Sequence, residues 1–467
     1  MKKTKRMLIT ALASSMLFSL VSCNPVSESG AGESKAIKKW TAGYGQVELI
    51  PPEIDSKTYY MAGYSVDKKI TGVLDYQTVK AIWLDDNSGN GGIVIAAVDC
   101  IGLTGSEVER IRNMLADFQT ETGCRSINII STHTHAGIDT LGLWGPIGID
   151  GKSPEFMQVI YDGAVKAVKQ AYDSRRDGKL YYGSGIIEGL QEDSRPPYVF
   201  DTKLHSLRFA PDNSTDSNGI RILNYAAHAE ALRSQNTLLS ADYPAYLTKH
   251  VKQNSGDDVM FIPAAIGGLI MTKRLTGDDG ESLPDIERTE KTGRMIGEAA
   301  LGISNERELE PELSVNNKEV VIPMDNDLYV LGKSLGILDS KTLPNGGRHN
   351  ISIVTEVGLL EIGGLPVCLV PGELFPELAY GGATVNPEAN PQALSEIIET
   401  DFLVFGLCND EIGYIVPPGD YFLHESEPYF NEGIDATGRK HYEETNSVGP
   451  LAAELIINSL TELIESK

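Results

Sequence analysis

Apolar residues recur along the chain at two spacings, one typical of strands and one typical of helices. Runs rich in β-branched residues predict buried strands, whereas apolar residues three or four positions apart predict helices with one buried face. The predicted strands span residues 92–103, 126–131, 180–187, 204–209, 220–227, 259–263, 355–362, 366–370 and 402–407. The predicted helices span residues 106–121, 153–173, 242–253, 286–301 and 449–464. Strands interleaved with helices in this order predict an α/β fold of mixed β-sheets layered with helices.

The N-terminus has a different pattern. Basic residues within the first six positions precede an apolar stretch at 7–20, which is too short to span a bilayer as a mature helix. Leu20-Val21-Ser22-Cys23 follows and resembles the lipobox of bacterial lipoproteins, the alternative being an ordinary signal peptide with an incidental cysteine. We therefore predict a signal peptide at 1–22 and lipidation of Cys23, which would make the protein exported and lipid-anchored to a membrane of a bacterial cell envelope.

Composition after the signal peptide separates a tether from a folded part. Residues 23–39 are rich in Ser, Gly, Glu and Lys without apolar periodicity, and we predict a flexible tether there, followed by a folded part at 40–467. The formal net charge of −25 repels phosphate backbones, so we expect no nucleic-acid partner. An exported chain permits disulfides, and both disulfides and buried free thiols remain open for the remaining cysteines: Cys100, Cys124, Cys368 and Cys408.

Four motifs with metal-binding residue types follow predicted strands. His133 and His135 come directly after 126–131, and in an extended segment both would point to the same side. His228 follows 220–227, Glu373 follows 366–370, and the segment 409–414 follows 402–407. Each motif also has a plainer interpretation: surface histidines in a loop, a structural histidine, a helix cap and a turn, respectively.

The shared position of these motifs favours a metal site. Open α/β sheets bind ligands beyond the C-terminal ends of their strands, which is where all four motifs are predicted to lie. Two imidazoles, one carboxylate and one further oxygen donor would form a plausible zinc site with a position left for water.

The motifs, taken in order, resemble the neutral/alkaline (non-lysosomal) ceramidase family. Thr132-His133-Thr134-His135-Ala136-Gly137 closely matches the family's THTHSG, Pro371-Gly372-Glu373 matches its PGE, and Asn409 with Tyr414 matches its Asn-x-x-x-x-Tyr. His228 stands at the position of a family zinc ligand, and the remaining similar segments are Ala42 to Pro52, Ser194-Arg195-Pro196-Pro197 and His441-Tyr442-Glu443. The resemblance runs from about residue 42 to residue 465 and predicts the family's catalytic domain alone, in the form of a bacterial lipoprotein.

The resemblance implies a site and an activity. It implies a zinc ion (Zn2+) held by His133, His228, Glu373 and Tyr414. It also implies that the scissile carbonyl is surrounded by His135, Arg195 and Tyr442. The expected activity is zinc-dependent hydrolysis of the N-acyl bond of ceramide or a related N-acyl lipid by metal-activated water.

One departure from the family changes the expected substrate pocket. Ile270 stands at the position of a serine that the family carries after its mid-chain strand, and Gly268 stands at the position of its aspartate. A serine nucleophile at this position is excluded, whereas a metal-dependent mechanism is not. Two alternatives therefore stay open: a metal hydrolase of the same fold that acts on a non-ceramide amide or ester, and a non-catalytic surface-binding lipoprotein.

Overall fold

The computed structural model describes residues 39–213, 219–277, 279–382 and 384–466. The predicted signal peptide, the predicted lipidation site Cys23 and the tether up to residue 38 lie outside these residues. Among the helices that the structure describes, none combines the length and hydropathy needed to cross a bilayer.

The described residues form alternating strands and helices. The strands are β1 (Trp40–Glu48), β2 (Gly72–Val73), β3 (Thr78–Asp85), β4 (Ile93–Val98), β5 (Ser126–Ser131), β6 (Arg176–Ile186), β7 (Gln191–Asp193), β8 (Lys203–Pro211), β9 (Ile220–Tyr225), β10 (Leu238–Leu239), β11 (Asp258–Pro263), β12 (Ile270–Thr272), β13 (Arg307–Leu309), β14 (Leu313–Pro323), β15 (Thr342–Leu343), β16 (Ser352–Ile362), β17 (Leu365–Leu369), β18 (Glu373–Leu374), β19 (Leu403–Phe405), β20 (Tyr414–Ile415), β21 (Gly433–Ile434) and β22 (Lys440–His441). The helices are α1 (Gly105–Met114), α2 (Ala116–Thr122), α3 (Pro154–Asp173), α4 (Tyr243–Ser255), α5 (Asp285–Leu301), α6 (Asp327–Ser334), α7 (Pro376–Tyr380), α8 (Leu394–Ile398) and α9 (Ala452–Glu465). Short 3-10 helices span Pro387–Ala389, Pro418–Asp420 and Glu443–Asn446.

Two sheets dominate the architecture. A nine-stranded sheet has the order β11-β9-β8-β6-β1-β3-β4-β5, with β13 paired to β6. A five-stranded sheet has the order β14-β16-β17-β19, with β15 paired to β16. Both sheets are mixed, because β4–β5, β9–β11 and β17–β19 pair in parallel whereas most other pairs are antiparallel. The prediction of an α/β fold with mixed sheets is confirmed.

The layers follow from the alternation of side chains along each strand. On β3, Ile82 and Leu84 face a core that the two sheets share, whereas Val79, Ala81 and Trp83 face α1 and α3 on the outside. The helices α4 and α5 cover the other end of the same outer face, and α9 covers the outer face of the five-stranded sheet. The order of layers is therefore helix, sheet, sheet, helix.

The element boundaries differ from the sequence-based predictions at one strand and one helix. The strand predicted at 92–103 ends earlier, because β4 spans only Ile93–Val98. The single helix predicted at 106–121 is two helices, because the backbone of Leu115 leaves the helical conformation. The turn lets Phe118 pack edge-on against Trp83, at a distance of 6.2 Å between ring centroids. Cys100, Cys124 and Cys408 are buried free thiols, and Cys368 is also buried.

Candidate metal centre and active site

The chain segments that follow β5 and β9 meet, although these strands stand near opposite edges of the nine-stranded sheet. An isolated parallel bridge joins Thr134 to Ala229, and the His135 N–H donates to the Ala229 carbonyl oxygen at 3.0 Å. The sheet is therefore curved enough to bring its two edges together. This curvature places His133, His135 and His228 in one buried cluster, with a ligand atom of each within 4.8 Å of the others.

The rings of His133 and His228 are each oriented by a hydrogen bond from one ring nitrogen to a backbone carbonyl oxygen. His133 Nδ1 lies 2.6 Å from the Ile101 carbonyl oxygen, and His228 Nδ1 lies 2.8 Å from the Ile270 carbonyl oxygen. A carbonyl oxygen can only accept a hydrogen bond, so both Nδ1 atoms carry a proton. When such a ring is neutral, its lone pair is on Nε2, which is the usual arrangement of a metal-binding histidine. The contact to Ile270 uses only its backbone, so it does not depend on the side chain at that position.

Glu373 and Tyr414 face these imidazoles from other strands. Glu373 Oε2 lies 2.9 Å from His228 Nε2 and 3.5 Å from His133 Nε2. Because β18 pairs in parallel with β20, Tyr414 is the direct cross-strand neighbour of Glu373. The structure thus brings all four predicted metal ligands together, and each is at most 6% exposed.

Asn409, at the start of the motif that ends with Tyr414, holds that motif against β5. Its Oδ1 atom accepts the Ile129 N–H at 2.9 Å, and its Nδ2 group donates to Asn128 Oδ1 at 3.2 Å. These bonds connect the segment that carries Tyr414 to the strand that precedes His133, so they fix the two sides of the cluster relative to each other.

The contact between His228 and Glu373 indicates that the cluster suits a metal ion. Two electron-rich atoms 2.9 Å apart repel each other unless a proton or a metal ion compensates their charge. Imidazole nitrogen, carboxylate oxygen and phenol oxygen are donor types that divalent transition metals accept, and a closed group of them is typical of zinc. The residues present therefore fit a divalent metal ion.

Burial and neighbouring groups set the protonation of the cluster. Burial lowers the pKa of His133 to about 4, so this ring is neutral near pH 7. Burial alone would raise the pKa of Glu373, but His133 and His228 outweigh it and hold that pKa below its ordinary value. A neutral imidazole and an ionised carboxylate are the forms that bind a metal ion.

His135 completes the cluster but lacks the anchoring contacts of the other two histidines. Neither of its ring nitrogens is hydrogen-bonded within the described part of the chain, although Nδ1 lies 3.5 Å from Glu230 Oε2. The ring stands edge-on to His133 and to Tyr64, with centroid distances of 4.8 Å and 5.3 Å. Both nitrogens are therefore available to a metal ion or to reacting atoms.

A cavity of about 700 Å³, counted together with its opening to solvent, borders the cluster. One part of its wall is apolar and is formed by Ile101, Leu141, Trp144, Leu338, Ile353 and Ile412. Another part carries ionisable side chains, namely His133, His135, Tyr329, Glu373, Glu411, Tyr414 and Tyr442. Among the described residues that line the cavity, none is a lysine or an arginine. The cavity therefore combines an apolar surface with the candidate metal ligands.

Tyr442, predicted as catalytic, lines this cavity next to Tyr414. The two rings are edge-on, with a centroid distance of 6.4 Å, and 42% of Tyr442 is exposed. The exposed part of the ring faces the cavity, and protein surrounds the rest of it. Partial burial of the ring, together with the negative charge of Glu373, raises the pKa of Tyr442 to about 12. The phenol is therefore protonated near pH 7 and can donate a hydrogen bond.

Arg195, also predicted as catalytic, does not line the cavity. Its Nη1 atom donates to Glu443 and Glu444 at 2.7 Å and 2.9 Å, and its Nη2 atom donates to Glu444 at 2.7 Å. Its Nε and Nη2 atoms both donate to Asp420 Oδ2, at 3.3 Å and 3.1 Å. All three guanidinium nitrogens are thus occupied, and none is left for an oxyanion. This environment corrects the predicted role: Arg195 holds the residues that follow Tyr442.

Two buried carboxylates at the site were not identified from the sequence. Glu230 accepts the Tyr64 hydroxyl at 2.9 Å beside His135, and Glu411 lines the cavity. Both lie close to predicted metal ligands in the sequence. Glu230 is two residues after His228, and Glu411 is three residues before Tyr414. The charge of these two residues so soon after buried strands was the available signal, because acidic side chains are seldom buried unless they are paired.

Comparison with known proteins agrees with the geometry. Residues 41–272 match the family described as neutral/alkaline non-lysosomal ceramidase, N-terminal. The chain is 23% identical to the neutral ceramidase of Drosophila pseudoobscura pseudoobscura over 321 residues, which cover 58% of this chain and 45% of that protein. It is 21% identical to the neutral ceramidase of Pseudomonas aeruginosa over 254 residues, which cover 50% of this chain and 38% of that one. The matched regions thus span less than half of the length of these relatives.

Solved structures share the fold. The crystal structure of neutral ceramidase from Pseudomonas aeruginosa superimposes with a TM-score of 0.72, covering 92% of this chain and 75% of that one at 16% identity. A ceramidase complexed with C2 superimposes with a TM-score of 0.68 at the same identity, covering 92% of this chain and 76% of that one. The family resemblance predicted from the sequence motifs is confirmed. Over residues 41–272, the chain belongs to the neutral/alkaline non-lysosomal ceramidase family.

Proposed function

We propose that this protein is a zinc-dependent amide hydrolase that cleaves the N-acyl bond of ceramide or a related N-acyl lipid. The observation that carries the proposal is the approach of two imidazole Nε2 atoms to one Glu373 oxygen, at 2.9 Å and 3.5 Å, beside an apolar-walled cavity. Membership of the ceramidase family supports the same reaction class.

The proposed metal ligands are His133, His228, Glu373 and Tyr414. A zinc ion at such a site supplies a Lewis acid and makes water easier to deprotonate near neutral pH. The carbonyl oxygens of Ile101 and Ile270 keep both imidazoles in the tautomer that binds the ion. Since His135 also lies within 4.8 Å of the other two histidines, it is close enough to act on a substrate held there.

Proton transfer is assigned to His135 and oxyanion stabilisation to Tyr442. In the reaction the oxygen of water bonds to the amide carbon, and the carbon–nitrogen bond then breaks. His135 can accept the proton that the water loses and deliver it to the leaving amine, because neither of its nitrogens is engaged in a hydrogen bond. The Tyr442 hydroxyl can donate to the carbonyl oxygen as negative charge develops there.

Release of free fatty acid from a panel of N-acyl lipids tests the proposal. The purified chain should release fatty acid from at least one amide, lose this activity after treatment with a chelator, and regain it when zinc is added. A panel on which neither the amides nor the matching esters are cleaved, by protein that contains zinc, would contradict the hydrolase assignment.

A second candidate is a hydrolase of the same fold that acts on a non-ceramide amide or ester. The side chain at position 270 favours it, because a fully buried isoleucine stands where the family carries a serine. Non-lipid amides and esters therefore belong in the same panel, and preferential cleavage of one of them would identify this second function.

The cellular site is proposed from the N-terminal sequence. The predicted signal peptide would export the protein, and lipidation at Cys23 would anchor it to a membrane of the cell envelope, which would bring the cavity near lipid substrates. Expression in bacteria with Cys23→Ala should move the protein from the membrane fraction to the soluble fraction. A wild-type protein that is already soluble and begins at another residue would contradict the anchor.

A further inference from the structure

Glu230 is a buried carboxylate that the proposed chemistry does not use. It is 5% exposed and is not among the described residues that line the cavity, but its Oε2 atom lies 3.5 Å from Nδ1 of His135, which does line it. Within the described residues, Glu230 Oε1 and both ring nitrogens of His135 lack hydrogen-bond partners. Buried polar atoms are nearly always hydrogen-bonded in folded proteins, so an acceptor and a ring nitrogen that face each other in this way indicate a functional contact.

The backbone brings Glu230 and His135 together. An isolated parallel bridge joins the residues that directly precede them, Ala229 and Thr134. The next two N–H groups after Glu230 donate to the Asp242 carboxylate, at 2.8 Å and 2.9 Å. The chain is therefore fixed on both sides of Glu230, and its position beside His135 follows from backbone contacts.

The Glu230 carboxylate itself is held from two sides. The Tyr64 hydroxyl donates to Oε2 at 2.9 Å, and Arg233 Nη1 lies 3.7 Å from Oε1. Oε2, the oxygen that faces His135, is thus already a hydrogen-bond acceptor. A carboxylate oxygen has room for a second donor, and the N–H of a neutral His135 ring is the donor that faces it.

The His135 ring is packed closely in this orientation. A Cβ atom on Gly63 would approach ring atoms Cγ and Nδ1 to 2.6 Å, so glycine at this position lets the backbone lie directly against the ring. Tyr64 stands edge-on to the same ring, at a centroid distance of 5.3 Å. The distance of 3.5 Å between Nδ1 and Oε2 is longer than an ordinary hydrogen bond, and contacts of catalytic histidines often tighten when substrate binds.

We propose that Glu230 is a positioning residue for His135, whose Nδ1–H it accepts so that the lone pair stays on Nε2. In this tautomer Nε2 accepts the proton that the attacking water loses and passes it to the leaving amine nitrogen, and Glu230 gains no proton in either transfer. A ring with its proton on Nε2 would have no base at that position. This inference rests on the proposed amide hydrolase function and deepens it, because it identifies the group that orients the proton-transfer residue.

Substitution of Glu230 tests this role through kcat, measured on an N-acyl lipid that the wild type cleaves. Glu230→Met keeps the length of the side chain but removes the acceptor, so kcat should fall by about 100-fold with little change in KM. Glu230→Gln keeps an oxygen that can accept from both Tyr64 and His135, and its kcat should stay within about tenfold of wild type. Glu192→Met is the matched control, because Glu192 is another carboxylate paired with Arg233 and is not among the described residues that line the cavity.

Tyr64→Phe tests the same contact with a smaller change. It removes the hydroxyl that holds Glu230 Oε2 but keeps the ring that packs against His135. We expect kcat to fall by about tenfold, with zinc content and thermal midpoint at the values of the wild type. This variant keeps the test decisive if Glu230→Met folds poorly.

NMR of ring nitrogens separates this inference from the proposed function, because it does not require turnover. In zinc-loaded protein labelled with ¹⁵N-histidine, the His135 signal, assigned with His135→Ala, should show a proton on Nδ1. Glu230→Met should reduce the population of this tautomer, whereas Glu192→Met should keep it. If no amide is cleaved but the tautomer changes in this way, the positioning role stands and the hydrolase proposal fails.

Two results would overturn the positioning role. The first is an unchanged His135 tautomer together with wild-type kcat in both Glu230→Met and Tyr64→Phe. The second is an equal fall in kcat in Glu230→Met and Glu192→Met, because it would show that the loss comes from the surroundings of Arg233 and not from the contact with His135.

Discussion

His133 has a left-handed backbone conformation, with a φ angle of 63°, which is uncommon for residues other than glycine. The conformation follows directly after β5, so the two histidines of the THTH motif do not continue the strand. Hydrogen bonds of the neighbouring residues to other chain segments hold it, such as that from the Thr134 N–H to the Cys100 carbonyl oxygen at 3.2 Å. Uncommon backbone conformations of this kind are often found at functional sites, because the surrounding structure must enforce them.

Removal of one imidazole should remove the metal ion. His228→Ala deletes a fully buried ligand whose ring is oriented by the Ile270 carbonyl oxygen, and it leaves a gap in the proposed set of four ligands. We expect zinc content, measured by elemental analysis, to fall from about one ion per chain to near zero. The control is His424→Ala, at a histidine that does not line the cavity. Full zinc retention in both His228→Ala and His133→Ala would contradict the metal site.

Removal of the Tyr442 hydroxyl should lower kcat more than it changes KM. The charge that this hydroxyl stabilises exists only in the transition state, and its loss should lower kcat by about 100-fold. Tyr442→Phe keeps the ring, so zinc content and stability should remain at wild-type levels. Tyr198→Phe, at a tyrosine that is 67% exposed, is the matched control. Wild-type kcat in Tyr442→Phe would remove this residue from the mechanism.

At the residue scale, the sequence predicted the types of side chain better than their roles. His133, His228, Glu373 and Tyr414 could be proposed because each follows a strand and matches a family motif. The surroundings of Arg195 could not be predicted from the sequence, because its partners lie more than 220 positions away along the chain. These partners are Asp420, Glu443 and Glu444. A short motif does not indicate whether a guanidinium group faces a cavity or buried carboxylates.

At the element scale, the short helix Glu443–Asn446 holds Tyr442 at the cavity. This helix contains Glu443 and Glu444, and both carboxylates accept hydrogen bonds from the buried Arg195 side chain, which is only 3% exposed. Asp420 belongs to another short helix and binds both Arg195 and Arg439. The network therefore joins two irregular segments, and it supports the position of Tyr442 from outside the cavity.

Loss of Arg195 should destabilise the protein strongly. Arg195→Met leaves three carboxylates in a buried position without their main cation, and breaking a buried ion pair in this way costs on the order of 3–5 kcal/mol. The free energy of unfolding, measured with urea, is the readout. Arg208→Met is the control, because Arg208 pairs with Glu306 at a partly exposed site, and its loss should cost about 1 kcal/mol or less. Equal losses in both variants would contradict the structural role of Arg195.

Two long strands, β3 and β14, were not predicted, because their patterns of apolar and polar residues are not those of a buried strand. β14 lies at the edge of the five-stranded sheet, and its middle, Asn316 to Glu319, is polar and largely exposed. β3 is buried along most of its length, but Lys80 interrupts its apolar run. Asp99 compensates the charge of Lys80, with its Oδ2 atom 3.5 Å from Lys80 Nζ. Strands such as β5 and β9 were found because all their residues are buried and at least half of them are apolar.

At the scale of the whole molecule, burial of carboxyl groups should make stability depend on pH. Burial raises the pKa of Asp193 and Asp242 to about 6, of Asp410 to about 7 and of Glu377 to about 8. A carboxyl group with a raised pKa in the folded state binds protons more tightly than it does after unfolding. Its contribution to stability is therefore largest in mild acid and is lost as the pH rises from about 4 to about 8. The surplus of negative charge, −25 for the whole chain, acts in the same direction.

Glu377 offers the clearest test of this pH dependence. Its Oε2 atom is buried and lacks a hydrogen-bond partner in the described part of the chain, and Asp193 and Asp420 add to its raised pKa after the effect of burial. Glu377→Gln keeps the shape of the protonated acid, so the free energy of unfolding should be unchanged at pH 5. At pH 9 the variant should be more stable than wild type by on the order of 2 kcal/mol, because it has no charge to bury. Glu396→Gln, at an exposed position on α8, should have no effect at either pH. A gain of stability at pH 5, or no gain at pH 9, would show that Glu377 is not held protonated by the fold.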